Sequence, residues 1–214
     1  MSPPTSTGAS ARPRARRGEG DRTREEILVA AEALLTSSAS EDAVSIRAVA
    51  DAVGVTPPSI YRHFPDKAHL IFEVCARRFE LMDAQVVQPI LATVDDPVEA
   101  LRELSRAYVR FGVENPEHYR IMFMGHADHT PEQYAAEEVL ETGALGSTIG
   151  LVRRAIETGR FRPEASDPLL VTYVVWTALH GVVTVAVAKP NMPAPPLDQQ
   201  VEALIDTLMH GLLA

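Results

Sequence analysis

Apolar residues recur at three- and four-residue spacing between Pro, Gly and Ser/Thr punctuation from about Thr23 onward, with almost no alternation of period two. That pattern predicts an all-α protein. The first helix is expected to start at Thr23, where Thr23 and Glu26 have capping-box spacing, and to bury Ile27, Ala30, Ala31, Leu34 and Leu35. Ser37 to Asp42 reads as its exit loop. Three short helices are expected next: Ser45 to Val53, Thr56 to about Phe64, and one from near Asp66 past Leu81 toward Pro89. Further helices are predicted from Pro97 to before Asn115-Pro116, from Pro116 to Met124, and from Pro131 to Arg160, the last bent around Gly143, Gly146 and Gly150 and ended by Gly159. Asp167-Pro168 opens a helix that continues to Ala188. A final one starts near Leu197, with Val201, Leu204, Ile205, Leu208, Met209 and Leu212 as a single apolar stripe.

Leu169 to Ala188 carries no formal charge over a length that meets the criterion for a membrane span. Thr172, Thr177, His180 and Thr184, the interior Gly181, and the lack of a second span or a flanking Lys/Arg cluster argue against that use. A helix apolar all round also fits a soluble protein in which one side meets its own core and the other a partner subunit. No membrane is expected as a partner.

Composition narrows the picture. The 214 residues are 46% hydrophobic and 23% charged, as in an ordinary globular chain, and a formal charge of -9 excludes an overall polycation. The lone Cys75 excludes an intramolecular disulfide and a cysteine-clustered zinc site. With no signal-like apolar run in residues 1 to 26, a cytoplasmic location is expected. The charge is uneven: residues 1 to 80 hold 11 basic and 11 acidic side chains, whereas residues 81 to 214 hold 9 and 18. Arg12, Arg14, Arg16, Arg17, Arg22 and Arg24 sit among Pro, Gly, Ser and Thr at the N-terminus, a composition expected to give a disordered basic arm over residues 1 to 20 that attracts polyanions.

The stretch Ser45 to Leu70 carries the most specific signal. Two short helices joined by a tight turn need a small residue at their crossing, a residue tolerant of left-handed backbone in the turn, and a branched apolar residue to fix the second helix. Ala50, Gly54 and Ile60 supply these, with Val49, Val53 and Val55 around them. Thr56 stands at the cap of the second helix and Pro57 at its first position, where a missing N–H costs nothing. This is a helix-turn-helix, whose second helix lies in a DNA major groove and would expose Pro57, Pro58, Ser59, Tyr61, Arg62 and His63. Tyr61 could be a half-buried core ring, and Arg62, His63 and Lys67 a solvated face. A phenol, a guanidinium, an imidazole and an ammonium clustered within seven residues favour phosphate contact.

Ala50, Gly54, Val55, Thr56, Ile60, Tyr61, His63, Phe64, Lys67 and Leu70 match the pattern A-x-x-x-G-V-[ST] followed by [LI]-Y-x-[HY]-F-x-x-K-x-x-L. On these residues the stretch Thr23 to Leu70 resembles the DNA-binding domain of TetR-family transcriptional regulators. The resemblance implies that Tyr61, His63 and Lys67 contact phosphates, that Ser45 adds a hydroxyl or amide, and that Thr56, Pro57, Pro58 and Ser59 face base edges. Pro57-Pro58 departs from many family members, which often have a polar or basic side chain and glycine there; two prolines donate no backbone hydrogen bond, so readout through thymine methyls, the arm and DNA shape is expected. Trp176, His180 and Gly181 are similar to the W-x-x-x-H-G signature of one subclass. That similarity implies a four-helix dimer interface drawing on Trp176, His180, Gly181, Val201, Leu204, Ile205, Leu208 and Met209. A core histidine satisfied by a neighbour is the alternative for His180.

The family resemblance also implies a small-molecule effector held among the helices of the C-terminal part. Phe79, Met82, Tyr108, Phe111, Tyr119, Met122, Phe123 and Trp176 are the candidates to line a largely apolar pocket, and equally they suit a helical core. His126, Asp128 and His129 have loop spacing with no distant second cluster, so they read as a surface loop and not as a metal or hydrolase site. There is no nucleophile elbow and no glycine-rich phosphate loop, and Cys75 is a lone thiol; no enzyme activity, metal or cofactor is expected. The expected organisation is a basic arm (1 to 20), a helix-turn-helix domain of three helices (21 to 68) and a larger helical domain for effector binding and dimerisation (69 to 214). The expected function is a repressor that binds a palindromic operator as a homodimer and is released by a small molecule. The competing readings are a helical enzyme centred near His126 to His129 and a membrane-attached adaptor using Leu169 to Ala188.

Overall fold

A computed structural model describes residues 19–38, 44–123 and 143–214. Among these residues every regular element is a helix, apart from an isolated bridge between Phe161 and Leu213. The N-terminal part comprises α1 (Glu19–Ser38), α2 (Ile46–Val53), α3 (Pro57–Ile60) and α4 (Lys67–Met82). α1 begins four residues before Thr23, so the expected capping box lies inside the helix; Asp21 in the first turn places a carboxylate beside the unpaired N–H groups there. Ile27, Leu28, Ala31 and Leu35 of α1 pack with Val49, Ala50, Ile60, Phe64, Leu70, Ile71, Val74 and Cys75 into a first core.

α4 runs through the expected division at residue 69. Its first half belongs to that core, while Met82 at its end belongs to a second. The chain does not stop before Pro89: a wider π-type turn, Asp83–Val87, leads directly into α5 (Gln88–Thr93). Pro89 cannot donate to the preceding turn, and the extra residue of the wider turn absorbs the change of register.

The second core is built by α6 (Pro97–Glu114), α7 (Pro116–Phe123), α8 (Gly143–Glu157), α9 (Pro168–Ala188) and α10 (Leu197–Leu212). Asp96 caps α6 by accepting from the N–H groups of Val98 and Glu99, both at 3.0 Å, and Asp167 caps α9 by accepting from Leu169 and Leu170 at 2.9 and 3.1 Å. Each cap precedes a proline at the first helical position. Leu101, Leu104 and Val109 of α6 meet Leu151, Val152 and Ala155 of α8 and Val175, Leu179 and Val183 of α9.

The stripe of α10 takes part in this core. Val201, Ile205 and Met209 are buried in the subunit's own interior, with Leu204 and Leu208 half-buried beside them, so the first three are not an outer face. Two-pronged pairing of Arg106 with Glu202 (2.7 and 2.9 Å) and Arg102 with Asp206 (2.8 Å) fastens α10 to α6.

α9 has two apolar sides. Val171, Thr172, Val175, Leu179, Val183 and Val187 face the core. Leu170, Tyr173, Val174 and Val185 are 61%, 43%, 47% and 48% exposed on the other side. The helix is long and apolar enough to cross a membrane by length and composition, yet one side of it is a packed core surface.

Candidate nucleic-acid interface and aromatic core

The turn between α2 and α3 is made by Gly54 at φ 76°, a conformation that side-chain-bearing residues rarely adopt. Its N–H and that of Val55 return to Asp51 and Ala50, closing the end of α2. Ser45 caps α2, its hydroxyl accepting from the Ala48 N–H at 3.0 Å. Thr56 holds the cap position of α3, but its hydroxyl does not cap, contrary to expectation; Pro58 has no N–H, the Ser59 N–H goes to the Thr56 carbonyl at 2.8 Å, and the hydroxyl pairs with Ser59 Oγ at 3.1 Å. Arg62 donates to the same Ser59 Oγ at 3.2 Å. α3 is one turn long, and hydrogen bonds from His63 and Phe64 to the Ile60 carbonyl continue it as turns to the expected end.

Ile60 and Phe64 are fully buried and hold the segment down. Tyr61 is 53% exposed between them, Pro58 and Arg62 are also exposed, and Pro57, Ser59, His63 and Lys67 are half-buried. Asp66 caps α4 by accepting from the His69 N–H at 2.7 Å, which sets Lys67 in its first turn. The guanidinium of Arg24 lies 5.2 Å from the centre of the Phe64 ring and pairs with Glu73 at 2.9 Å, tying α1 to α4.

A charged cluster beneath this domain carried no sequence signal, because its members lie far apart in the chain. Glu32 of α1, only 8% exposed, pairs with Arg78 of α4 and lies 3.6 Å from His118 of α7. Burial and the Arg78 charge hold the His118 pKa below its ordinary value. α7 itself joins both cores: Ile121 packs in the first and accepts a 3.4 Å hydrogen bond from Cys75 Sγ, while Tyr119 and Met122 pack in the second.

The effector candidates converge in the second core. Met82, Tyr119 and Met122 are buried there, with Phe79, Tyr108, Phe111 and Phe123 packed against them. Trp176 and His180 turn inward to this cluster, whereas Gly181 lies exposed on the outer side of α9. Trp176 Nε1 donates to the Tyr108 hydroxyl at 3.1 Å. The hydroxyls of Tyr108 and Tyr119 lie 3.0 and 2.6 Å from His180 Nδ1, and Tyr119 also reaches the His180 carbonyl and Thr184 Oγ1, each at 3.2 Å. Burial lowers the His180 pKa and raises those of both tyrosines, so the network is uncharged at neutral pH.

Among the described residues, cavities also lie away from this cluster. One of about 190 Å³ is lined by Leu91, Ser147, Gly150, Leu151 and Arg154. Another, about 480 Å³, lies between α1 and α4 against Arg24, Glu25, Glu73 and Arg77. The residues His126, Asp128 and His129 and the arm 1 to 18 fall outside the described residues. Among the described residues no group of His, Cys, Asp and Glu could hold a metal ion.

Comparison with known proteins bears on both halves. A family model described as bacterial regulatory proteins, tetR family, matches residues 27–74, and one described as tetracyclin repressor-like, C-terminal domain, matches residues 101–208. Over 74 residues the chain is 35% identical to the HTH-type transcriptional repressor KstR of Mycolicibacterium smegmatis, covering 35% of this chain and 36% of that protein. Over 104 residues it is 35% identical to the nucleoid occlusion factor SlmA of Vibrio vulnificus, covering 49% and 52%. The chain thus matches about a third to a half of the length of these relatives.

Similarity in fold extends over nearly the whole chain. A protein of unknown function from Rhodococcus sp. RHA1 superposes with a TM-score of 0.72 at 26% identity, over 93% of this chain and 98% of that one. NalD, the secondary repressor of the MexAB-OprM multidrug efflux pump in Pseudomonas aeruginosa, does so at 0.61 and 24%, over 91% and 98%, a likeness of fold. With the helix-turn-helix matched at one end and the helical body at the other, this chain belongs to the TetR family of transcriptional regulators.

Proposed function

We propose that this regulator is a repressor that binds a palindromic operator as a homodimer and leaves it when a small, largely apolar molecule binds the C-terminal body. The observation that carries the reading is the surface around α3, where Tyr61 and Arg62 stand exposed beside a buried Ile60 and Phe64. Tyr61, His63 and Lys67 are assigned to phosphates with Ser45, and Thr56, Pro57, Pro58 and Ser59 to base edges; Arg62, already oriented by Ser59, serves either. Few hydrogen-bonding groups point from Pro57-Pro58, so readout leans on thymine methyls and on DNA shape. The arm 1 to 20 adds phosphate contacts, and deleting it reduces the salt slope of binding.

The exposed side of α9 supports dimerisation with a second copy. Leu170, Tyr173, Val174 and Val185 form an apolar surface, and Gly181 on the same side permits close helix approach, flanked by Leu204 and Leu208 of α10. Val201, Ile205 and Met209 support that face from within, and Trp176 and His180 belong with the effector residues. A twofold dimer presents recognition helices about one DNA turn apart, ~34 Å. Residues 21 to 68 act as the DNA-reading unit and 69 to 214 as the sensing and dimerising unit, at work in the cytoplasm without catalysis.

The test is selection of bound duplexes from a random pool, with dimer mass measured by sedimentation. A palindromic consensus bound by the dimer supports the reading. No enrichment at low salt from a folded dimer counts against it.

A further inference from the structure

One ring sits at the centre of the aromatic core. The Phe123 ring lies 5.3 Å from Phe79, 6.1 Å from Tyr108, 4.9 Å from Tyr119, 6.1 Å from Trp176 and 5.2 Å from His180, measured between centroids. Most of these contacts are edge-on, with interplanar angles of 86° to Phe79, 75° to His180 and 67° to Tyr108. A phenyl ring held in this way by ring edges and faces is in its preferred electrostatic surroundings. The five side chains come from α4, α6, α7 and α9, whereas Phe123 is the last residue of α7 and only half-buried.

We infer that Phe123 is an internal occupant of a ring-binding cage, and that the regulator senses a neutral single-ring aromatic molecule that displaces it. Three observations fix that ligand class. The cage is sized by the phenyl group it now holds. Its walls are aromatic, so a flat ring gains contacts that a puckered aliphatic ring does not. Its polar rim, the Tyr108 and Tyr119 hydroxyls around His180 Nδ1, is uncharged and suits one hydroxyl or carbonyl rather than an ion.

Displacement also has somewhere to go. Two residues before Phe123, Ile121 packs in the helix-turn-helix core and its carbonyl accepts from Cys75 of α4. Drawing Phe123 out of the cage therefore pulls on the turn of α7 that touches the DNA-reading unit. This inference rests on the effector reading above and names the ligand class and the moving part.

The sole tryptophan, Trp176, reports cage occupancy without DNA. The full-length protein is titrated with benzyl alcohol and with cyclohexylmethanol, exciting at 295 nm, for the wild type, Phe123→Ala and Phe123→Leu. Benzyl alcohol is expected to bind Phe123→Ala at least about tenfold tighter than wild type, Phe123→Leu in between, and cyclohexylmethanol weaker than benzyl alcohol throughout. An engineered hole alone could tighten binding, so the wild type carries the decisive readout. With 4-fluorophenylalanine incorporated, the resonance missing in Phe123→Leu should shift as benzyl alcohol fills the wild-type cage. Weaker binding by both variants would make Phe123 a wall of the site and overturn the inference. So would equal binding of the two alcohols, or an unmoved Phe123 resonance at saturation. A cage that fills as expected in a protein that binds no operator would instead remove the repressor reading and leave the cage standing.

Discussion

Gly112 lies buried in the last turn of α6 where that helix meets α9. A methyl group placed there would come 2.4 Å from Val183 Cγ1 and 3.0 Å from Cδ2 of Tyr119. Carbon atoms settle at about 3.5–4.0 Å, so Val183 would have to retreat by about 1 Å or more. It has little freedom to do so, because a β-branched side chain in a helix is stiff at χ1 and Val183 has no exposed surface. Replacing glycine by alanine inside a helix gains about 0.8–1.0 kcal/mol of propensity. Overpacking of a filled core costs about 1–3 kcal/mol, so Gly112→Ala should be net destabilising by up to about 2 kcal/mol. At about 2–4 °C per kcal/mol for a chain of this size, the Tm should fall by up to about 8 °C. The measurement is thermal unfolding at one fixed protein concentration, since self-association makes Tm depend on concentration. Val183→Ala removes the obstructing atom, so in that background Gly112→Ala should become neutral or stabilising, a coupling of at least about 1 kcal/mol. A higher Tm for Gly112→Ala alone, or the same loss in both backgrounds, would show that the close approach at Val183 is not what requires glycine.

Tyr61→Ala should weaken operator binding by roughly ten- to a hundredfold, as expected for losing a hydrogen bond to a charged phosphate, while changing stability by no more than about 0.5 kcal/mol because the ring is 53% exposed; fluorescence anisotropy and urea unfolding measure the two. Tyr119→Phe removes the hydroxyl shared by His180 Nδ1 and Thr184 and, with Tyr108 still 3.0 Å from Nδ1, should cost about 0.5–1.5 kcal/mol in urea unfolding, with an altered Trp176 emission through Tyr108. His118 and His180 both have folded pKa values held below 6.5 by burial, so the unfolded chain takes up protons first as pH falls. Stability should be full above about pH 6.5 and decline as pH falls through the lower folded values, and His118→Gln should flatten part of that decline; a urea midpoint that rises from pH 7.5 to 5.5 would contradict the assignment.

Local signals in the sequence were sufficient for the helix-turn-helix. Ala50, Gly54, Ile60 and the Thr56-Pro57 helix start act within a dozen residues, and the turn at Gly54 and the burial of Ile60 follow from them directly. Thr56 differs only in where its hydroxyl goes, because Pro58 lacks an N–H and the Ser59 N–H is taken by the Thr56 carbonyl. The partner of a stripe is another matter. Periodicity in α10 marks which side is apolar but not what covers it, and Val201, Ile205 and Met209 turned out to be covered by their own subunit. In α9 the apolar residues go all the way round, so the sequence held no orientation for Trp176 and His180; packing against α6 and α7 set it. Gly112 and the Glu32, Arg78 and His118 cluster gave no sequence signal, since each depends on a neighbour from a distant helix.

α7 explains how an event in one core can be felt in the other. With eight residues it is too short to hold a helical position by itself, so its place is set by what packs on its sides. Those sides belong to different cores: His118 and Ile121 face α1 and α4, while Tyr119, Met122 and Phe123 face α6 and α9. Such an element cannot move at one end without changing contacts at the other, and both sets of contacts include hydrogen bonds as well as apolar surface. Coupling of ~1–3 kcal/mol, the usual range between effector and target sites, is comparable to the loss of one or two of those interactions. A ligand that acts on Phe123 therefore needs no large rearrangement to alter the DNA-reading unit; it needs only to choose which of the two cores α7 satisfies better.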